Sequence, residues 1–254
     1  MASPAKSVTC GFFWKLPHAF PFVCRPFRPP PRQRRPGQRP RTFSEAKKIG
    51  WKLYARQSVE FYCGCRYSGN RVDLASCGYK PRKNANRARR IEWEHIVPAW
   101  VIGHQRRCWQ NGGRSNCARH DSTYQRAEAD LHNLVPSIGE VNGDRSNFGF
   151  GWLPQKPQQY GACPMVVDFK ARKAMPRPQI RGMIARTYFY MSDRYGLRLS
   201  KQDRQLYNAW HKQYPPQTWE RQRNHMVGCV MGWGNPYVGP VDLATCSNLS
   251  SRRR

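Results

Sequence analysis

Eight cysteines crowd the chain beyond residue 60: Cys63, Cys65, Cys77, Cys108, Cys117, Cys163, Cys229 and Cys246. An even set of this kind predicts a disulfide framework made in an oxidising compartment. Such a framework ties distant segments together whatever lies between them. A zinc site is the weaker reading, because no Cys-x-x-Cys or His-x-x-x-His pair exists to start one. Eight cysteines permit on the order of 100 connectivities, so the pattern does not name a full set. The last two by position, Cys229 and Cys246, are the pair it suggests.

Charge is the second constraint. The 254 residues carry 44 Lys and Arg against 15 Asp and Glu, a formal net charge of +29. A surface of this sign attracts polyanions at long range and binds them in a salt-dependent way. Nucleic acid is the first candidate partner and an anionic membrane surface the second. At 39% hydrophobic and 13% aromatic residues, the chain has enough apolar side chain for a core, so global disorder is excluded. No apolar run reaches the roughly 18 residues of a membrane-spanning helix.

Residues 1–41 hold nine basic residues, nine prolines and no acid. Proline at this density denies the backbone both helix and ladder hydrogen bonds, so the segment reads as an extended basic extension. The tail at 247–254 ends on three arginines. With 1–41 and those arginines set aside, 32 basic residues still face 15 acids, so the remainder stays near +17. Residues 1–24 make a poor secretory signal, since Lys15, Pro17, His18 and Pro21 interrupt the apolar patches and no Ala-x-Ala site follows.

Periodicity places the main elements. Residues 42–54 read as a helix capped by Thr42 or Ser44, with Ala46, Ile49, Leu53 and Tyr54 at helical spacing. Residues 59–63 read as a strand, 84–90 as a basic loop, and 110–114 as a turn. Residues 124–134 are helix-forming up to a stop at 130–133. Residues 179–195 read as a helix with Ile180, Met183, Ile184, Thr187, Tyr188 and Met191 inward. A further helix over 200–214 should bury Leu206, Ala209, Trp210 and Tyr214.

Candidate chemistry sits in Arg90-Ile-Glu-Trp-Glu-His-Ile-Val-Pro-Ala-Trp100, where acidic residues and a histidine lie in an apolar frame. A carboxylate is a hard-metal ligand, and an imidazole is a general base near neutrality. The plain alternative is a half-buried strand with local hydrogen bonds. Neighbours on a regular strand point to opposite faces. Joint action of Glu94 and His95 on one phosphate therefore requires a bend there, or a metal at the strand's end. One carboxylate binds Mg²⁺ weakly, so further oxygens are needed. Asn142, Asp144 and Asn147 are the best candidates, with Glu140 and Asp130 behind them.

Several linked segments occur in order: Glu92-Trp-Glu-His-Ile-Val-Pro-Ala-Trp100, Gly103-His-Gln-Arg106, Cys108-Trp-Gln-Asn-Gly-Gly-Arg114, His132-Asn-Leu134, Gly139-Glu-Val-Asn-Gly-Asp-Arg145 and Ala185-Arg-Thr-Tyr-Phe-Tyr190. Together they resemble the bacterial endonuclease I family, periplasmic or secreted nonspecific nucleases of the ββα-metal (His-Me finger) class. The resemblance runs from about residue 43 to 246. It implies a mixed α+β, disulfide-stabilised nuclease domain at 42–246, with a ββα-metal core and surrounding helices.

Carried over by position, the resemblance implies His95 as general base, Glu94 and Asn142 as metal ligands, and Arg114 as a phosphate contact. Glu128 lies beside the site. The reaction implied is cleavage of DNA and RNA by a monomer with one Mg²⁺, which Mn²⁺ or Ca²⁺ can replace. The products would be 5′-phosphate and 3′-hydroxyl ends. One departure stands out: where the family usually has a cysteine after Trp-Glu, this chain has Arg221. Cys229 would then serve a shifted C-terminal bridge.

Two rival readings remain. A noncatalytic nucleic-acid-binding protein explains the charge but not Glu94, His95 and Asn142 together. A cationic membrane-active protein would need a basic amphipathic helix with a broad apolar face, and none is evident.

Overall fold

The computed structural model describes residues 39–55 and 57–249. The extension before residue 39 and the tail after 249 lie outside them. Helix α1 (Phe43–Tyr54) starts as its residues dictate: the Thr42 side chain accepts from the Glu45 amide, and Ala46, Gly50 and Tyr54 form its buried stripe. That stripe lies on Trp93, whose ring is 5.3 Å from Trp51 and 5.8 Å from Tyr54. Gly50 permits the close approach, since a Cβ there would fall 2.4 Å from the Trp93 ring.

A small hairpin follows, β1 (Arg66–Ser68) with β2 (Arg71–Asp73). The strand expected at 59–63 is not there; only an isolated Val59–Arg66 bridge forms. The reason is Glu60, whose buried carboxylate accepts from the amides of Tyr62, Cys63 and Cys65. Those amides curl around one side chain instead of pairing with a neighbouring strand. Disulfides Cys63–Cys163 and Cys65–Cys77 fix the same loop. The basic loop expected at 84–90 contains a one-turn helix, α2 (Ala85–Ala88), capped by Asn84.

The centre of the site-bearing half is β3 (Ile91–His95), paired antiparallel with β4 (Leu134–Ile138) from Ile91↔Ile138 to His95↔Leu134. Between them run α3 (Ala99–His104), α4 (Arg107–Gln110), α5 (Gly113–His120) and α6 (Ser122–Glu128). The turn expected at 110–114 shrinks to Asn111 and Gly112. Gly112 has φ 128° and Gly113 φ 63°, so α5 starts at once and Arg114 is helical. Cys108–Cys117 staples α4 to α5. Helix α6 stops at Glu128, earlier than expected, and Asp130 caps a separate 3-10 turn leading into β4.

Helix α7 (Gly139–Arg145) leaves β4 without a loop and lies beside β3. A third sheet, ordered β5 (Gly149–Phe150), β7 (Lys173–Met175), β6 (Val166–Asp168), follows. Helix α8 (Pro178–Tyr195) buries the predicted inward stripe, and the residues between its members from Ile180 to Met191 are buried as well, so the helix is covered on all sides there. Against it pack α9 (Lys201–Gln213) and α10 (Thr218–Met231). In α9 the expected burial holds for Trp210, but Tyr207 is its other buried residue. Leu206 and Tyr214 are half-buried and Ala209 is exposed. Tyr207 takes the inward place by stacking on Tyr188 at 4.3 Å, which rotates Ala209 outward.

Helix α10 is tied down by a bidentate Arg186–Glu220 pair at 2.7 and 2.6 Å. Arg223 ties it to the carbonyls of Leu131, His132 and Leu134 at the base of β4. The suggested pair Cys229–Cys246 is formed. The architecture is mixed α+β, with four disulfides among the described residues. No described helix is long and apolar enough to cross a membrane.

Candidate active site

β3 is regular to its last residue, so its side chains alternate between two environments. Trp93 and His95 face α1, while Glu92 and Glu94 face α7. No bend separates Glu94 from His95, because the ladder register continues through both. The bend is thus absent, and His95 is the final residue of β3.

On the α1 face, the His95 ring lies 4.7 Å from that of Phe43, and Nε2 is 2.8 Å from the Glu128 carbonyl. A carbonyl oxygen only accepts, so Nε2 carries the hydrogen and Nδ1 the lone pair. Nδ1 makes no hydrogen bond among the described residues and is not sealed from solvent. Burial pushes the imidazole pKa down to about 4; the Glu128 carbonyl opposes this, and Arg114, Arg145 and Lys47 reinforce it. His95 is thus held neutral, with one nitrogen anchored and the other free.

Arg114 reaches the same place from α5. Its Nε donates to Glu128 Oε1 at 2.7 Å, and its guanidinium carbon lies 5.4 Å from the Phe43 ring centre. The Tyr124 hydroxyl donates to the same oxygen at 3.2 Å. Glu128 therefore binds His95 through its carbonyl and Arg114 through its carboxylate. The sequence reading brought His95, Arg114 and Glu128 together, and so does the fold.

On the α7 face, Glu94 is buried, and its Oε1 accepts from the Tyr62 hydroxyl at 2.6 Å and Arg145 Nη1 at 2.7 Å. Burial pushes its carboxyl up, while the Arg145 guanidinium and the Tyr62 hydroxyl pull it back down. Oε2 has no partner among the described residues and is not sealed from solvent. Asn142 lies on this face too, its Nδ2 donating to Glu92 Oε2 at 3.1 Å. A carboxylate can only accept, so Glu92 fixes the amide with Oδ1 turned away, and Oδ1 is also unpartnered. Glu92 itself is neutralised by Arg87 and Arg90.

Glu94 Oε2 and Asn142 Oδ1 are hard, neutral-to-anionic oxygens on one side of β3, and both are free. That donor set fits a divalent cation which keeps several waters. The other oxygens considered in the sequence are engaged elsewhere. Asp144 binds Arg82 and Tyr160, and Asn147 binds Arg172. Glu140 accepts from Tyr79 and the amides of residues 82–84, and Asp130 accepts from Tyr190 and Tyr195. A cluster of His225, Cys229 and Cys246 offers no thiolate, since its cysteines form a disulfide.

Sequence reasoning gave no role to four residues here: Tyr62, Phe43, Glu92 and Arg145. Glu92 was findable, being two positions from Glu94 on a strand and so on the same face. Nothing local marks the other three.

The Endonuclease I family model matches residues 40–241. An extracellular deoxyribonuclease of Aeromonas hydrophila is 54% identical over 202 residues, covering 78% of this chain and 87% of the relative. An extracellular endonuclease of Pseudomonas fluorescens biotype A is 52% identical over 225 residues, covering 82% and 91%. A periplasmic deoxyribonuclease of Aeromonas hydrophila is 50% identical over 206 residues, covering 79% and 86%. With half of the matched residues identical across most of each chain, the protein is a nuclease and belongs to the endonuclease I family.

Proposed function

We propose that this chain is a Mg²⁺-dependent, nonspecific endonuclease acting on DNA and RNA, with β3, β4 and α7 as a ββα-metal core. The observation that carries the mechanism is the anchored tautomer of His95. With Nε2–H committed to the Glu128 carbonyl, Nδ1 is left to take the proton of the attacking water. The water oxygen bonds to phosphorus as the P–O3′ bond breaks. The 3′-oxygen regains a proton from solvent, giving 5′-phosphate and 3′-hydroxyl ends.

Arg114, held by Glu128, places a fixed positive charge where negative charge builds on the phosphate oxygens. Glu94 Oε2 and Asn142 Oδ1 would hold one divalent ion. When bound, that ion supplies Lewis-acid polarisation of the phosphate and neutralises charge on the departing oxygen. Mg²⁺ suits a site of two protein oxygens completed by water, and Mn²⁺ or Ca²⁺ are substitutes. Phosphate contacts carry no base information, which fits a nuclease that does not select sequence.

The domain is assigned to 42–246, between the basic extension 1–41 and the tail 247–254. One chain contains every side chain the scheme uses, consistent with a monomer. Four disulfides and relatives named extracellular or periplasmic support a periplasmic or secreted location. Supercoiled plasmid incubated with protein and Mg²⁺ should pass to nicked and linear forms, and EDTA should stop the conversion. A plasmid that is retarded on a gel but uncut under both conditions would favour the noncatalytic binding protein.

A further inference from the structure

The two helices that hold His95 also form the walls of an open basic groove. It lies between the start of α1 and α6, has a volume of about 770 Å³, and is lined by Arg41, Lys48 and Arg126 together with Arg39 and Pro40. A second groove of about 500 Å³ shares Arg39, Pro40 and Arg126 with the first and continues to Arg194 and Trp233. The two grooves meet at these three shared residues and together make the candidate channel. Five cations line it, and among the described residues none of them pairs with a carboxylate.

Its two acids are already engaged. Glu45 accepts from the Arg41 amide at 2.8 Å, and Asp193 accepts from the Tyr237 hydroxyl. Two of the four guanidiniums stack on Trp233. The Arg194 carbon lies 3.5 Å and the Arg39 carbon 5.7 Å from the centre of that ring. Cation–π contact on the faces of one indole leaves the N–H edges of both arginines free to donate. The indole is itself fixed by its N–H to the Tyr190 hydroxyl at 2.8 Å. A randomly solvated basic face would show neither the engaged acids nor the pinned arginines.

We propose that this channel binds the phosphate backbone of the substrate strand flanking the cut, so that affinity for long polynucleotide is set here and the chemistry at His95. The proposal rests on the nuclease reading, and it predicts that Arg39 and Arg41, from the end of the basic extension, share in holding substrate.

The test uses Lys48→Gln/Arg126→Gln in the full-length protein, both side chains being exposed. A matched control, Lys201→Gln/Lys212→Gln, removes two exposed cations from α9. Binding of a fluorescent oligonucleotide in EDTA, followed by anisotropy against salt, should show the log–log slope of the groove variant reduced by about 1.4–1.8. The α9 variant should keep the wild-type slope. With Mg²⁺, KM for plasmid should rise about ten-fold in the groove variant only. Both variants should cleave a single-phosphodiester nitrophenyl ester at the wild-type rate.

Equal losses in the two variants would overturn the proposal, leaving only general charge. An unchanged groove variant would overturn it as well. Failure of the wild type to cut anything would instead strike the nuclease reading, while the EDTA binding data would still decide the channel.

Discussion

Arg145 Nη1 donates to Glu94 Oε1 at 2.7 Å and to the carbonyl of His95 at 3.0 Å, so one buried guanidinium grips the last two residues of β3. Nη2 adds the Ile96 carbonyl at 2.7 Å. The side chains of this ion pair are 0% and 4% exposed. Removing one member leaves an uncompensated buried charge. Arg145→Met should cost about 3–5 kcal/mol in urea unfolding. Adding Glu94→Gln should recover part of that stability and none of the nuclease rate. Single and double variants with equal stability would show that the pair is not formed.

Glu92 Oε2 accepts from Asn142 Nδ2, so in the proposed scheme Glu92 is a positioning residue for Asn142. Glu92→Gln keeps the shape but can turn either an oxygen or an amide toward Asn142, so Oδ1 is no longer fixed outward. Partners that orient metal ligands typically matter by about 10–100-fold in affinity. Mn²⁺ binding followed by EPR should weaken in that range in Glu92→Gln and disappear in Asn142→Ala. Loss in Asn142→Ala with unchanged affinity in Glu92→Gln would remove Glu92 from the account and leave the metal site standing.

His132 makes stability depend on pH. It is buried, with Nε2 on the Trp233 carbonyl and Nδ1 unpartnered. Burial pushes its pKa down to about 4, against the pull of Asp130, while an unfolded histidine titrates near 6.5. Between those values the unfolded chain binds the extra proton, so stability is complete above about 6.5 and falls as pH drops toward 4. The full loss is roughly 3–4 kcal/mol. His132→Gln keeps a donor and does not titrate. Its urea midpoint should fall less between pH 7.5 and 4.5 than that of the wild type; parallel falls would contradict the assignment.

The sequence made the helices legible where periodicity was strong. The stripe Ile180, Met183, Ile184, Thr187, Tyr188 and Met191 gave α8 almost to the residue, and Thr42 gave the start of α1. It misread 59–63 because alternation in Val59 to Cys63 looks like a strand until Glu60 draws three amides onto its carboxylate. That interaction is local in space but has no sequence signature. In the site, residue types pointed to Glu94 and His95, with Asn142 one of several candidate oxygens, while Arg114 and Glu128 came only from the family resemblance. The division of Glu94 and His95 between two faces of β3 follows from strand alternation, and the pairing to β4 excluded the bend. Arg145 and Tyr62 stayed hidden, since a buried arginine reads as one more cation among 44.

The most direct measurement is the rate of plasmid cleavage by His95→Ala with saturating Mg²⁺, beside wild type, with circular dichroism to show that the variant is folded. If Nδ1 of His95 takes the proton from water, the rate falls by about 10²–10⁴-fold while oligonucleotide binding in EDTA is unchanged. A folded His95→Ala protein that cuts plasmid at the wild-type rate would contradict the account.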